Sequence, residues 1–589
     1  MALRSALLRR AGAKIPDYIV LGAGSAGCVV ANRLVMEQGA NVTLIEAGKS
    51  DRGQWDSWKV QMPAALTFNL DGDKYNWDYW TVPQRGLDGR VLHQPRGKVL
   101  GGSSSLNAMA YVRGHALDYE RWAKEGAGED WDYKHVLPYF KKAQTHHSEP
   151  SPYRGSRGPL SVTRRRTKPV RAINDAFVNA GLEVGYKYSD DHNGFSQEGF
   201  GPMDMTVQPN GARANTSNAY IKPILDLGID ALRVMTGLHV TRLLFDEGSK
   251  KPRAVGVELV DKQGRITQMR CKEEVIVSLG AVGSPMLLNL SGIGDPAELK
   301  EQGIDVRVPL PDVGKNLQDH LEFYLQYLAS VPCSLYPWAA TFPGIGPLQQ
   351  IQRYLFRQPW RAVWAGAQWF TVGSGMSSSN HFEVGGFIRS HHGLEHPDIQ
   401  YHFIPGCVVG QLDFLPQHGY QAHAGTLRPT SRGTIKIQSK DPRVAPLIDP
   451  AFLTTEKDVI DQRRSFRQTL EIMEAKAFDP FRKQRFSPDP NMDLTDDQVD
   501  AWVRQNSHSG YHLSCTCAMG RVVDGAGKVN GVDGLRVIDA SVMPSMTSGN
   551  LNAPTIMLAE KLVDAIRGVQ LPVEDKPWYT PKDWQTKQR

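Results

Sequence analysis

Apolar residues in this chain gather into short runs near its start, its middle and its end. Residues 18–21 are wholly apolar and are followed by a glycine loop, the pattern of a parallel strand buried on both faces. Residues 26–38 carry the spacing of a helix, and 41–46 read as a second strand, which completes a β-α-β unit. Further strand-like runs occupy 232–235, 254–259, 274–278 and 535–538. The last leads through a Pro/Ser/Gly-rich turn into a helix predicted over 553–566. Between about 320 and 500 the chain is richer in Trp, Pro and polar loops. The expected fold class is α/β: a Rossmann-like nucleotide-binding domain assembled from 17–160, 212–318 and 505–572, with an inserted α+β substrate-binding domain built from 161–211 and 319–504 and a C-terminal tail at 573–589.

Length and composition agree with this division. A chain of 589 residues is too long for one ordinary core, and 41% hydrophobic with 22% charged residues is a globular balance. A net charge of +6 without long runs of like charge excludes a nucleic-acid footprint. The cysteines stand scattered at 28, 271, 333, 407, 515 and 517, so neither a disulfide framework nor a metal site is expected. No uncharged stretch reads as a membrane-spanning helix, because Pro332, Pro337, Pro343 and Pro347 break the longest one. Residues 1–16 hold Arg4, Arg9, Arg10 and Lys14, no acid, and Leu3, Leu7 and Leu8 on one helical side. That is the composition of a mitochondrial targeting segment; a basic tail accounts for the same residues.

The loop after the first strand reads Gly22-x-Gly24-x-x-Gly27, opens a helix, and has Glu46 at the end of the next strand. In that context it is a dinucleotide fingerprint. Gly22 allows the tight turn, Gly24 lets backbone approach a pyrophosphate at the helix N-terminus, and Gly27 lets helix and strand pack. Glu46 accepts ribose hydroxyls and repels a 2′-phosphate, which points to FAD or NAD rather than NADP. A second small-residue loop spans 97–107, and Gly101, Gly102 and Ser103 to Ser105 offer amides and hydroxyls at close range.

These two loops, together with Gly283-Ser-Pro-Met-Leu-Leu-Asn-Leu-Ser-Gly-Ile-Gly294 and Gly549-Asn-Leu-Asn552-Ala-Pro-Thr, resemble the GMC (glucose–methanol–choline) oxidoreductase family over nearly the whole chain. The resemblance implies FAD, held by Gly22, Gly24, Ser25, Ala26, Gly27, Glu46, Ala47, Trp77, Gly101, Ser103, Asn107, Val240, Asp539, Ala540 and Asn550. Some members bond a histidine of the second loop to the flavin; Leu106 stands there, so non-covalent FAD is expected. Oxidising an alcohol also needs a base near neutral pKa. The resemblance carries that role to His512 and makes Asn552 the second partner of the substrate oxygen. His508, four residues upstream, would share a helical face with His512 and reads as a supporting or surface residue.

Within the family the chain is most similar to choline-oxidising members, in segments such as 103–114, 194–201, 317–322 and 545–552. A quaternary ammonium donates no hydrogen bonds and needs aromatic faces and a negative charge. Glu322, Tyr511 and Trp58 are the expected site; each also has a plain packing or ion-pair reading. Leu513 departs from the proline that many relatives place after the base. A neutral alcohol would gain nothing from Glu322, and a photodecarboxylase or a non-catalytic flavoprotein would not need His512. The resemblance implies a quinone-linked acceptor at the mitochondrial inner membrane. Arg353, Arg357 and Arg361, interleaved with aromatic residues up to Phe370, suit contact with a membrane surface; a substrate-domain helix with buried aromatics explains them as well.

Overall fold

A computed structural model describes residues 15–70, 72–148, 150–246, 248, 251–338, 359–409 and 413–589. The expected targeting segment, 1–16, lies almost wholly outside the described residues, as do Arg353 and Arg357.

Five parallel strands form the first sheet, in the order Leu232–Thr236, Val42–Glu46, Tyr18–Leu21, Glu274–Val277, Leu535–Val537. The three central strands are apolar runs because both of their faces are buried, one against helix Gly27–Gln38 and the other against a smaller sheet. Helix Gly27–Gln38 ends at Gly39 in the left-handed conformation and packs beside helix Asn552–Arg567. Arg33 clamps Glu560 between them with two 2.8 Å hydrogen bonds. The run at 254–259 does not join this sheet. It is part of strand Ala254–Asp261, the middle of a separate antiparallel sheet with Leu238–Phe245 and Ile266–Arg270.

The second sheet is antiparallel, in the order Arg482–Ser487, Leu321–Ala329, Gly419–Thr426, Ile399–Ile404, Val384–Ile388, Gly199–Pro202. Its strands obey the period of two. Phe323, Leu325, Tyr401, Phe403, Ala422 and Ala424 point to a core shared with helices Arg171–Glu183 and Glu456–Met473. The alternate positions are polar, and register sets them side by side: Glu322 opposite His508, Tyr324 opposite His423, His423 opposite His402. The short strand His508–Ser509 pairs with Leu321–Ala329, so a boundary at 505 cuts through this sheet. His508 is therefore on a strand, following helix Asp496–Asn506, and not on a helical face shared with His512.

The tail straps the two halves together. Glu574 N–H donates to the Lys134 carbonyl at 2.9 Å and Trp578 packs edge-on against Tyr133. Tyr579 N–H then reaches the Phe195 carbonyl at 2.8 Å, and Arg589 forks onto Glu471 at 2.7 and 3.0 Å.

Candidate active site

All five parallel strands end on one side, and a cleft runs across those ends. A Cβ on Gly22 (φ +89°) would lie 2.4 Å from the Ser278 carbonyl oxygen, and one on Gly27 would lie 1.9 Å from the Gly22 carbonyl oxygen. Both glycines are demanded by packing. At Gly24 the nearest atom is Gly102 Cα at 3.9 Å, so this backbone stands open to the cleft where a pyrophosphate would meet the helix N-terminus.

Glu46 is buried, and its two oxygens accept Ala23 N–H at 3.0 Å and Gly48 N–H at 2.8 Å. Burial pushes its carboxyl up to about 7 against those bonds. Asp539, at the far edge of the sheet, accepts Gly280 N–H at 2.9 Å, Ser284 Oγ at 2.5 Å and Ser541 N–H at 2.8 Å. Ser25, Ala26, Ala47, Trp77, Ser103, Asn107, Val240, Ala540 and Asn550 also line the cleft. Gly27 and Gly101 do not; Gly101 N–H ties the second loop to the Ala23 carbonyl at 2.7 Å.

The second loop is fastened from below by a residue that the sequence did not single out. Arg213 is fully buried and donates to the Val60 carbonyl at 2.9 Å and to the Asn107 carbonyl and side chain at 2.6 and 2.8 Å. Burial lowers its guanidinium to about 9. Leu106 packs among Val60, Leu70, Tyr75 and Val99 and presents no nucleophile to the cleft. Two buried polar atoms of cleft residues, Ser278 Oγ and Arg96 Nη2, have no partner among the described residues. An open glycine backbone, a ribose acceptor and orphaned donors together fit a bound dinucleotide.

His512 lies in the same cleft on a turn held at several points. Its backbone N–H donates to Asp319 Oδ1 at 2.7 Å, and Ser509 Oγ donates to Asp319 Oδ2 at 2.5 Å. Tyr511 sits at φ +62°, a costly conformation for a tyrosine, with its N–H on Ser509 Oγ at 2.8 Å and its carbonyl on Arg96 Nη1 at 2.7 Å. Leu513 packs with Val282, Leu317 and Ile448, so the turn is set without a proline. The His512 ring touches His320 on one side, Nδ1 to Nδ1 at 3.0 Å. On the other, its Nε2 lies 3.2 Å from Asn550 Nδ2. Burial, then the neighbouring His320, His402 and Arg96, holds the imidazole well below its ordinary value, so it is neutral at physiological pH.

The expected pair His512–Asn552 is thus not the pair in contact. Asn552 Oδ1 accepts Ser25 Oγ at 2.9 Å, on the glycine-loop side. Asn550 occupies the position against His512, its Oδ1 facing Gln400 Nε2 at 3.0 Å and His402 Nε2 at 3.2 Å. Since Gln400 and His402 belong to the polar face of the antiparallel sheet, that face covers the histidine end of the cleft.

Glu322 lies on the same polar face, beyond the residues that line the cleft. Its Oε1 meets His423 Nδ1 and Tyr324 Oη, each at 3.2 Å, and the Tyr324 ring stacks between His423 and His508. Burial alone would raise its carboxyl; His423, His402 and the Tyr324 hydroxyl together outweigh burial and hold it below the ordinary value. Tyr511 lines the cleft as expected. Trp58 does not: it packs edge-on against Phe68 and Phe370, at 5.7 and 6.4 Å between centroids.

A dinucleotide cleft on a parallel sheet, closed over a neutral histidine and an amide, defines a nucleotide-dependent oxidoreductase of two interleaved domains. Comparison with known proteins narrows the class. The GMC oxidoreductase model matches residues 16–322 and 429–559. The chain is 47% identical to the mitochondrial choline dehydrogenase of Mus musculus over 97% of this chain and 92% of that protein. It is 45% identical to the oxygen-dependent choline dehydrogenase of Pseudomonas fluorescens over 96% of each. Among solved structures, an FAD-dependent oxidoreductase of Chaetomium thermophilum is 25% identical, with a TM-score of 0.79, covering 94% of this chain and 99% of that one. The chain belongs to the GMC oxidoreductase family, and its cofactor is FAD.

Proposed function

We propose that this protein is an FAD-dependent choline dehydrogenase that converts choline to betaine aldehyde, whose hydrate is a substrate for a second oxidation to glycine betaine. The observation that carries the substrate is Glu322, kept ionised beside His423 on the sheet face that covers the cleft. Its charge and the Tyr511 ring suit a trimethylammonium group; a cation–π contact is worth about 0.5–2 kcal/mol. The substrate hydroxyl donates to neutral His512 and accepts from Asn550 Nδ2, which favours the alkoxide. FAD, bound without a covalent link beside Leu106, supplies the hydride acceptor. Asn552 and Ser25 hold the glycine loop in place around it. The polar sheet excludes water while His512 keeps the proton.

The test is anaerobic. Choline should bleach the flavin rapidly, while the neutral isostere 3,3-dimethylbutan-1-ol should not, and Glu322→Gln should erase that preference. Equal bleaching by both alcohols would reject the cation site.

For the acceptor we propose a membrane quinone, reached from the mitochondrial inner membrane. The start of the chain and the mitochondrial relatives support that location. Helix Pro359–Val372 supports the contact: Trp360, Trp364 and Phe370 are 59%, 62% and 62% exposed rather than buried, and the Arg361 guanidinium lies 5.2 Å from the Trp360 ring centroid. Among the described residues no helix is long and apolar enough to cross a membrane. Replacing Arg353, Arg357 and Arg361 together should weaken binding to anionic liposomes; unchanged binding would sink the proposal.

A further inference from the structure

His512 has two ring nitrogens, and base catalysis needs the lone pair on the one that faces the substrate. The surrounding hydrogen bonds decide which nitrogen that is. The Leu427 carbonyl accepts and never donates, and His320 Nε2 lies 3.1 Å from it, so His320 carries its proton on Nε2. Burial holds His320 at about 4, so it is neutral and its Nδ1 is a lone pair. That lone pair faces His512 Nδ1 at 3.0 Å. Two lone pairs at this distance repel, so His512 carries its proton on Nδ1 and presents Nε2 bare. The other end of the chain of bonds agrees. Asn550 Oδ1 receives Gln400 Nε2, which leaves its Nδ2–H to point at His512 Nε2.

We propose that His320 is the positioning residue of the reaction: its Nδ1, oriented by the Leu427 carbonyl, locks His512 in the Nδ1–H tautomer and stabilises the imidazolium that forms. This inference rests on His512 being the base of the proposed dehydrogenase. The line of bonds has a second consequence. His320 can share the proton of His512 through its Nδ1 but cannot pass it on, because its own Nε2–H faces a carbonyl, which does not hold a proton. Proton relay therefore stops at His320, and the substrate's proton stays within the His512–His320 pair through the hydride step.

The lock has a readout independent of turnover. In holoenzyme labelled with ¹⁵N-histidine, two-bond ¹H–¹⁵N correlations should show His512 as the Nδ1–H tautomer, assigned by its loss in His512→Asn. His320→Leu removes the acceptor and should give a mixture of tautomers, with choline reducing the flavin about 10²-fold more slowly, within the range of a misplaced base. His320→Asn keeps an acceptor near Nδ1 and an N–H for Leu427, and should restore both tautomer and rate to within about tenfold. An Nε2–H tautomer in the wild type, or a His320→Leu variant with unchanged tautomer and rate, overturns the proposal. Should His320→Leu fail to fold, the wild-type spectrum alone decides. Absence of bleaching by choline would reject the substrate reading and leave the tautomer result standing.

Discussion

Two asparagines two residues apart do different work. Asn550 faces His512 and Asn552 faces Ser25. Asn550→Ala should slow flavin reduction by about 10²-fold with FAD content unchanged, because it removes a donor to the developing alkoxide. Asn552→Ala should lower the FAD-to-protein ratio and leave the reduction rate of the remaining holoenzyme nearly intact. Stopped-flow absorbance and the flavin content of purified protein separate the two. The depressed imidazole also predicts a pH profile. The proposed base, His512, must be neutral to act, and its folded pKa lies well below the usual 6.5. The reduction rate should therefore stay flat as pH falls through 6.5 and drop only well below it. The place of His512 in the cleft was legible in the sequence; the residues against it were not. Asp319 and His320 sit in the family-like stretch at 317–322, yet nothing in linear order says that residues 192 apart meet ring to ring. Asn550 and Asn552 look alike in sequence, and only the turn into helix Asn552–Arg567 sends them apart.

At the scale of elements, the glycine loop separates packing from ligand approach. Gly27→Ala should destabilise the protein with or without cofactor, since its methyl meets the Gly22 carbonyl oxygen at 1.9 Å. Gly24→Ala has 3.9 Å of clearance and should yield a folded protein that purifies without FAD. Thermal denaturation and flavin absorbance distinguish these outcomes. The parallel strands were readable because burial on both faces makes them uninterrupted apolar runs, as at Tyr18–Leu21 and Val42–Glu46. The antiparallel sheet was not. Strand Ile399–Ile404 is buried throughout yet mixes Gln400 and His402 with Ile399, Tyr401 and Phe403, because its polar face is covered by the nucleotide domain. Without that cover the pattern is indistinguishable from an ordinary half-exposed strand or loop. The same covering makes a strand of His508–Ser509, where helical spacing from His512 misled.

For the whole molecule, buried histidines set the response to acid. Burial lowers His115, His320 and His508 to about 4 each. The unfolded chain protonates them from pH 6.5 downward and the folded chain does not. Their stabilising share is therefore lost as pH falls from 6.5 towards 4, at about 1.4 kcal/mol per histidine for each pH step of one. Glu46 and Asp319, raised by burial to about 7 and about 6, act with the opposite sign and lose their share as pH rises through those values. The urea midpoint should therefore be highest between pH 6 and 7 and decline on the acid side. The tail adds a mechanical constraint, fastened at Lys134 on one half and at Glu471 on the other. Ending the chain at Pro572 should lower Tm by a few degrees and expose sites between the halves to limited proteolysis. The two-faced sheet has a longer reach. Because alternate residues of Leu321–Ala329, 399–403 and Gly419–Thr426 belong to the structural core and those between them do not, descent can rewrite one set while the other stays fixed. A lineage built on this frame can change its diet of alcohols by substitutions at alternate positions, and a mutant library restricted to those positions would explore new chemistry while leaving the apolar core intact.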